Sequence, residues 1–178
     1  MQQLFIINPT AGKADASTEL VPRIRTAAAR AGVEPRIEIT QSKGHARQLA
    51  SQAAASGEEV HIYAAGGDGT MNEVLQSAAN HPNVAVGCIP CGSGNDYVRN
   101  FGAPADFLDM DAQLAAESFP ADLLATPQGY GIDRHRRTGS ERHPQVAAHP
   151  AVRRNHRVHP VHPRSRLQQL QAPFAHTG

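Results

Sequence analysis

The stretch from Val60 to Leu75 constrains the fold of this chain more than any other. It begins with a short apolar run of strand character and continues into a helix that has Val74, Leu75 and Ala78 on one face. Between the two lies a glycine-rich turn, residues 66–70. Glycine allows left-handed backbone and lets a second molecule approach the main chain closely. A strand that leads through such a turn to a helix N-terminus is a ready anion site, because unpaired N–H groups and the positive end of the helix dipole meet there.

Asp68 lies inside this turn. A tight strand-to-helix turn without any ligand is the alternative interpretation. A carboxylate beside a phosphate pocket is repulsive, however, unless a cation or a catalytic task requires it. Asp68 therefore favours a functional turn over a purely structural one.

Apolar periodicity predicts that strands and helices alternate along the chain as far as Thr126. Strands are predicted over 2–7, 34–40, from Val60 to the glycine turn, over 83–89 and over 121–126. Helices are predicted over 16–31, from Ser42 as N-cap up to Gly57, from the glycine turn to about Asn80, briefly around 97–101, and over 106–118. This alternation indicates an α/β fold, a parallel sheet covered by helices on both faces.

Three of the predicted strands end in unusual loops, residues 8–13, 66–70 and 90–96. In open parallel sheets, ligands bind at the carboxyl ends of the strands. One glycine-rich turn is weak support for a ligand, whereas three such loops at one edge of the same sheet indicate a nucleotide or phosphate site.

Cys88 and Cys91 are the only cysteines, and their spacing matches half of a zinc knuckle or a redox dithiol. No second pair completes a tetrahedral site. Cys88 also closes an apolar strand, where a buried thiol acts as a small hydrophobe. The packing interpretation is favoured.

The motifs at the three strand ends resemble the nucleotide-site motifs of the diacylglycerol kinase catalytic domain, above all in the soluble bacterial lipid kinases. They are Asn8–Lys13 (NPTAGK), Gly66–Glu73 (GGDGTMNE) and Pro90–Asp96 (PCGSGND), in the family's order and spacing over roughly residues 2–130. The resemblance implies a Rossmann-like three-layer domain and ATP-dependent phosphorylation of a lipid hydroxyl with Mg²⁺, in a cleft between two domains.

The resemblance also assigns residues to the nucleotide. The residues expected to bind the cofactor are Asn8, Pro9, Thr10, Ala11, Gly12, Thr40, Gly66, Gly67, Asp68, Gly69, Thr70, Met71, Asn72 and Ser93. Backbone N–H groups of the two later loops would supply hydrogen-bond donors, since phosphoryl transfer needs positioning and neutralisation of negative oxygens.

Asp68 and Asp96 are the acids expected to be catalytic, by organising Mg²⁺ or orienting the attacking hydroxyl; the metal ligands themselves are left unassigned. Glu73 stands one turn into the helix, where an acid is also favourable simply because it lies near the positive helix end. Lys13 resembles a P-loop lysine only superficially, because the Gly-x₄-Gly-Lys-Ser/Thr spacing is absent.

Two neighbouring families share part of this pattern. NAD kinases have the Gly-Gly-Asp-Gly-Thr turn, but the segment that follows it there differs from Met71–Leu75. Sphingosine-type kinases have a similar third loop, usually without the acid that stands here as Asp96. The lipid kinase interpretation is preferred to both.

The chain changes character after Asp133. Residues 1–133 carry 8 Lys/Arg and 15 Asp/Glu, whereas residues 134–178 carry 9 Arg, no Lys and a single acid, Glu141, together with seven of the ten histidines. We therefore expect a nucleotide-binding domain over 1–120, a stub of an incomplete, β-rich second domain over 121–133, and an Arg/His/Pro-rich tail over 134–178. Such a tail buries too little apolar area to offset its ordering entropy, so disorder is predicted.

Three interpretations of the tail are open. The first is a histidine tract that binds metal. The second is a basic segment that docks on anionic lipid or nucleic acid. The third is a frameshifted translation of a second domain.

The functional expectation is a lipid kinase of the diacylglycerol kinase type that is truncated and of reduced or no activity. The alternative is a non-catalytic nucleotide-binding module with a basic docking tail. ATP and Mg²⁺ are the expected cofactors, and a lipid at a membrane surface is the expected partner. A nucleic-acid partner is not favoured, and a homodimer is kept open. With no long apolar run and no leader sequence, a cytoplasmic protein peripheral to the membrane is expected.

Overall fold

The computed structural model of the chain describes residues 1–79, 81–121, 123–127, 129–131 and 146–149. The strands are β1 (Gln2–Ile7), β2 (Pro35–Ile39), β3 (Val60–Gly66), β4 (Val84–Pro90), β5 (Phe119–Ala121), β6 (Leu124–Thr126), β7 (Gly129–Gly131) and β8 (Val146–His149). The α-helices are α1 (Ala16–Ala31), α2 (His45–Ala55), α3 (Asp68–Ala78) and α4 (Met110–Ala115), with 3₁₀ turns at Val98–Asn100 and Pro104–Leu108.

The sheet confirms the predicted α/β architecture. Its strand order is β2-β1-β3-β4-β8-β5, and the strands from β2 through β8 run parallel, with β5 antiparallel at the end. Strands β6 and β7 form a separate antiparallel hairpin. This hairpin lies where the second, β-rich domain was expected to begin, and the domain boundaries themselves stay a prediction.

Alternation along the strands divides the core into two layers. On β1, Leu4 and Ile6 pack with helices α2 and α3, whereas Phe5 and Ile7 pack with α1 and α4 on the opposite face. Strand β3 is buried along its whole length, as expected for a central parallel strand covered on both faces. The three-layer arrangement therefore follows from the pattern of apolar residues.

Helix α1 has the predicted bounds and well-formed ends. Asp15 is its N-cap, and the Asp15 carboxylate accepts hydrogen bonds from the Ser17 N–H (2.8 Å) and hydroxyl (2.6 Å). These bonds stabilise the ionised form and hold the pKa of Asp15 below its usual value. Gly32 ends the helix in the left-handed conformation (φ 67°).

The predicted cap of the second helix is wrong. Helix α2 begins at His45 rather than after Ser42, and its N-cap residue is Gly44, which has φ 86° and no side chain. The acceptor comes from another helix instead, because the Gly44 N–H donates to Glu73 Oε1 (2.9 Å). A cap supplied by tertiary contact leaves no local signal in the sequence.

The predicted helix over 106–118 is also wrong in extent. A 3₁₀ turn ends at Leu108, and Asp109 adopts extended backbone as the N-cap of a short helix that ends at Ala115. The Asp109 carboxylate accepts from two N–H groups, of Asp111 and Ala112 (3.1 Å each). Aspartate competes well with continued helix in this way.

The predicted disorder of the tail is contradicted at four residues. Val146–His149 forms strand β8, which pairs with β4 over Ala85–Gly87 and with β5 on its other side. A short apolar run can add to a sheet when a neighbouring strand offers its backbone. The remaining tail, with the metal-binding, docking and frameshift interpretations, lies outside the described residues.

Within the part of the chain that the structure describes, no helix combines the length and the hydropathy that crossing a bilayer requires.

Candidate functional site

The first loop, between β1 and α1, is anchored by Asn8. The Asn8 N–H donates to the Ala65 carbonyl (2.8 Å), which keeps the loop alongside β3. Its side-chain Oδ1 accepts from both the N–H (3.1 Å) and the hydroxyl (2.9 Å) of Thr10. Its Nδ2 donates to Thr70 Oγ1 (3.2 Å) on helix α3. One amide side chain therefore shapes the first loop and joins it to the glycine turn.

The glycine turn brings the main chain to the start of α3 without a capping side chain. Gly67 is the N-cap residue and, without a side chain, makes no side-chain cap hydrogen bond to the first turn of the helix. The first N–H groups of a helix lack partners within the helix, so this end offers donors and a positive dipole to an anion. This feature supports the predicted phosphate turn.

The third loop packs directly against the glycine turn. The Cys91 N–H donates to the Gly66 carbonyl (2.9 Å), and a Cβ added to Gly92 would lie 2.6 Å from the Gly67 Cα. Asn95, with φ 54°, brackets Gly92: its Oδ1 accepts from the Gly92 N–H (3.1 Å) and its Nδ2 donates to the Gly92 carbonyl (2.6 Å). The two loops touch through their backbones, which only glycine allows.

The first loop also reaches the third. Gly12 has φ 110°, and a Cβ placed on it would lie 2.8 Å from the Cys91 carbonyl oxygen. Thr40, at the end of β2, donates its N–H to the Ile7 carbonyl (2.8 Å) and so lies at the same edge of the sheet. The carboxyl edge therefore gathers all the predicted loops.

Asp68 is the acid at the centre of this edge. It is half-buried at the first position of α3, and its Oδ1 accepts from the N–H of Tyr97 (3.1 Å), the residue that follows the third loop. Its Oδ2 lies beside Gly94, where an added Cβ would be 2.7 Å away. Asp68 is thus oriented by the loop that also carries Ser93 and Asp96, both of which are exposed.

The other predicted contacts divide into two groups. Pro9, Ala11, Gly69 and Asn72 lie in the first loop or the first turns of α3, with Asn72 accepting from the Gln76 side chain (3.0 Å). Met71 is set apart, because its side chain is buried in the core with α2 and its N–H donates to the Gly67 carbonyl (3.1 Å). The structure places the Met71 side chain in the packing of the sheet and not at the edge.

Sequence reasoning missed how helix α3 ties the neighbouring segments together. Glu73 holds the start of α2, and the Gln76 amide exchanges hydrogen bonds with Tyr130 of the hairpin, donating to its carbonyl and accepting from its N–H (2.9 Å). With Asp68 and Thr70, these side chains give α3 contacts to four other segments. Helical spacing placed them on α3, but no local pattern names their partners.

The two cysteines do not form a reactive thiol pair. Burial raises the pKa of the Cys88 thiol strongly, and burial also raises the pKa of Cys91 to about 11. Thiolates are the form that bind metals and attack disulfides. Both side chains are free thiols in the structure, which favours the packing interpretation.

A magnesium site would need fewer protein ligands than a zinc site, and it can include phosphate oxygens and water. Among the described residues, no three His, Cys, Asp or Glu side chains come together as a ready cage. Mg²⁺ usually keeps several waters and binds one or two carboxylates together with phosphate oxygens. Asp68, at the N-terminus of α3, fits that donor set.

Comparison with known proteins gives the same picture. The family model of the diacylglycerol kinase catalytic domain matches residues 2–125. Diacylglycerol kinases of Staphylococcus carnosus (strain TM300) and Staphylococcus aureus (strain MRSA252) are 34% and 37% identical over 131 residues, which is 72% of this chain and 42% and 41% of theirs. The chain therefore spans less than half the length of these relatives.

Solved structures agree on the fold. A diacylglycerol kinase from Bacillus anthracis str. Sterne has a TM-score of 0.58 at 24% identity, covering 72% of this chain and 47% of that one. A second structure from the same organism has a TM-score of 0.57 at 27% identity, covering 68% and 44%. With motifs, fold and family model in agreement, the chain belongs to the diacylglycerol kinase catalytic domain family.

Proposed function

We propose that this chain is the nucleotide-binding part of an ATP-dependent lipid kinase that transfers the γ-phosphate to the hydroxyl of diacylglycerol or a related lipid. The observation that carries the proposal is the meeting of the three loops at an uncapped helix N-terminus, with Asp68 oriented among them. Family membership, and the diacylglycerol kinases among the chain's relatives, support a lipid as the acceptor.

The residues present suit phosphoryl transfer. The transition state spreads negative charge over the phosphoryl oxygens, so catalysis depends on positioned donors more than on covalent chemistry. The N–H groups at the start of α3, and those of residues 92–94, would bind phosphate oxygens. Asn8 and Thr10 would shape the wall formed by the first loop, and Thr40 would contact the nucleotide from the end of β2.

Asp68 and Asp96 have separate proposed roles. Asp68 would hold Mg²⁺, which neutralises phosphate charge, because its Oδ1 is fixed by Tyr97 while its Oδ2 faces the third loop. Asp96, exposed on that loop, would orient the acceptor hydroxyl. Both roles are compatible with the observed positions of the two carboxylates at the carboxyl edge of the sheet.

The acceptor lies in a membrane, so we infer that the protein works at a membrane surface as a peripheral enzyme. The relatives are more than twice as long as the matched segment. We therefore expect this chain to bind nucleotide more readily than it transfers phosphate, since water exclusion by a second domain strengthens the electrostatics of such a site.

The test is phosphorylation of diacylglycerol in mixed micelles with Mg·ATP, alongside calorimetric titration of the chain with ATP. Asp68→Asn is the informative variant, because its Oδ1 still accepts from Tyr97 while the charge is lost. Asp111→Asn is the matched control. Asp111, on α4, forms an ion pair with Arg30, on α1, away from the carboxyl edge of the sheet.

Activity that disappears in Asp68→Asn but persists in Asp111→Asn supports the kinase. ATP binding without any transfer would mean that this part of the kinase binds nucleotide but does not transfer phosphate on its own. No ATP binding in the folded chain overturns the proposal.

A further inference from the structure

Strand β2 presents half of its backbone groups away from the sheet. It is an edge strand, and its neighbour among the described strands is β1, in parallel register with Ile7 beside Ile39. The Thr40 N–H donates to the Ile7 carbonyl, which fixes the phase of the ladder. In a parallel pair alternate residues bond to the neighbour. Residues 36, 38 and 40 therefore face β1, whereas Ile37 and Ile39 direct their N–H and C=O groups outward and Pro35 directs its C=O outward.

The side chains of β2 have an unusual pattern for a free edge. Arg36 and Glu38 lie on one face as an ion pair (2.9 Å), with their side chains 43% and 34% exposed. On the other face, Ile37 packs partly against the α1 layer, and Ile39 is 44% exposed. Only Met1 and Phe101 join Ile39 as exposed large hydrophobic residues in the described part of the chain.

We propose that β2 pairs antiparallel with β2 of a second copy of this chain, about a two-fold axis at Ile37, so that the two sheets become one. Such an interface is isologous, the same strand on both subunits. This pairing specifies the interface of the homodimer that the sequence analysis left open. The proposal does not depend on the proposed kinase activity.

Charge selects this register. With Ile37 opposite its own copy, Arg36 stands opposite Glu38 of the second copy and Glu38 opposite its Arg36. Moving the axis to residue 36 would place arginine opposite arginine, and moving it to residue 38 would place glutamate opposite glutamate. Like charges directly opposite each other are destabilising, so the axis at Ile37 is preferred over these two.

The backbone agrees with the same register. Ile37 would donate its N–H to the Ile37 carbonyl of the second copy, and Ile39 would donate to the Pro35 carbonyl of the second copy, each bond occurring twice. Arg36 and Glu38 then fall at non-hydrogen-bonded pairs, where side chains lie closest. Proline is tolerated because Pro35 is at the start of an edge strand. Exposed Ile39 would pack on Pro35 of the other subunit.

The opposing interpretation is that charges and a proline protect this edge from association, a common use of such residues. Sedimentation equilibrium of the full chain over a wide concentration range separates the two. We expect a concentration-dependent rise from 19.0 kDa towards twice that mass. A single species of 19.0 kDa at all concentrations would overturn the proposal and assign the protective role.

Charge reversal tests the register. Arg36→Glu and Glu38→Arg should each abolish dimers, because each places like charges opposite one another at both pairs. The double variant, Arg36→Glu with Glu38→Arg, should restore the wild-type association. Arg25→Glu, an exposed position on α1, is the control and should leave the mass unchanged.

Mixing the two single variants gives the sharpest readout. One chain then carries two acids and the other two arginines on the paired face, so a heterodimer should form although neither variant self-associates. Circular dichroism establishes that each variant is folded. Failure of the mixture to associate, or wild-type dimers in a single variant, contradicts the proposed pairing.

Discussion

The carboxyl edge of the sheet and the β6–β7 hairpin are both attached to helix α3, but by opposite kinds of contact. At the edge, Gly92 and Gly67 approach so closely that an added Cβ would be 2.6 Å from the facing Cα. The hairpin is held by a side chain, Gln76, whose amide reaches the Tyr130 backbone. The closest contact at the edge is therefore between two backbones, whereas the hairpin is joined to α3 by side-chain hydrogen bonds. Adding a methyl group should matter most at the edge, and removing the Gln76 side chain should matter most at the hairpin.

The largest effect is expected from Gly92→Ala, which adds a methyl group at the closest backbone approach. We expect the free energy of unfolding to fall by about 2–3 kcal/mol and ATP binding to be lost, as measured by denaturant titration and calorimetry. Gly69→Ala is the matched control for stability alone, because the Gly69 N–H belongs to the proposed phosphate site. Among the described residues, no atom beyond its chain neighbours and its own helix backbone lies within 4 Å of an added Cβ, so the free energy of unfolding should stay the same or rise by up to about 1 kcal/mol. Equal losses in both variants would contradict the packing argument.

A smaller effect is expected at Asn8, which joins the first loop to α3 through its side chain. Asn8→Asp keeps the acceptor for Thr10 and removes the donor to Thr70. We expect a loss of about 1 kcal/mol in the free energy of unfolding, the typical worth of one hydrogen bond. Asn8→Ala, which removes both contacts, should cost more. If the two variants are indistinguishable in denaturant titration, the Thr70 contact is the dominant one.

At the hairpin, removing a side chain should matter locally. Gln76→Ala deletes both hydrogen bonds to Tyr130, so the Tyr130 amide should exchange with deuterium about tenfold faster, as expected for a loss of about 1.4 kcal/mol in local opening. Gln76→Glu keeps an acceptor for the same N–H and should preserve most of its protection. The amides of β3 should be unaffected in both variants. Faster exchange throughout the sheet would show that the hairpin stabilises the whole domain.

The smallest change is a chemical one, at the Cys91 thiol next to Gly92. Burial raises the pKa of Cys91 to about 11, so its reaction with iodoacetamide should be slow at pH 8 and accelerate as pH rises towards 11. Mass spectrometry of digested protein measures the rate. Gly92→Ala should speed this alkylation at pH 8 because it loosens the edge, whereas Gln76→Ala should not. An ordinary rate in the unmodified chain would mean that the thiol is open to solvent.

Sequence reasoning gave the alternation of strands and helices because both signals are local. Apolar period and glycine position fix α1 to its observed ends, and the three loops could be assigned to one edge because parallel strands share a direction. The same reasoning placed Asp68 at the junction of β3 and α3, and the structure has it as the first residue of the helix rather than inside the turn.

What could not be predicted are contacts made between distant segments. Glu73 accepts from the N–H of Gly44, the N-cap residue of α2, which lies 29 residues earlier, and Gln76 bonds to the Tyr130 backbone, which lies 54 residues later. Met71 was assigned to the ligand with its motif, but the helical turn directs its side chain into the core. Ser42 was assigned as a cap from its residue type, whereas the acceptor came from a neighbouring helix. Sequence spacing predicts on which helix and which face a residue lies, but its contact partner is determined only by the tertiary fold.

Helix α3 has a further consequence for changes in chain length. Its contacts through Asp68, Thr70, Glu73 and Gln76 reach four different segments. Each residue of an α-helix advances the chain by about 1.5 Å and about 100°. One residue inserted or deleted between Asp68 and Gln76 would therefore swing at least one of these side chains away from its partner.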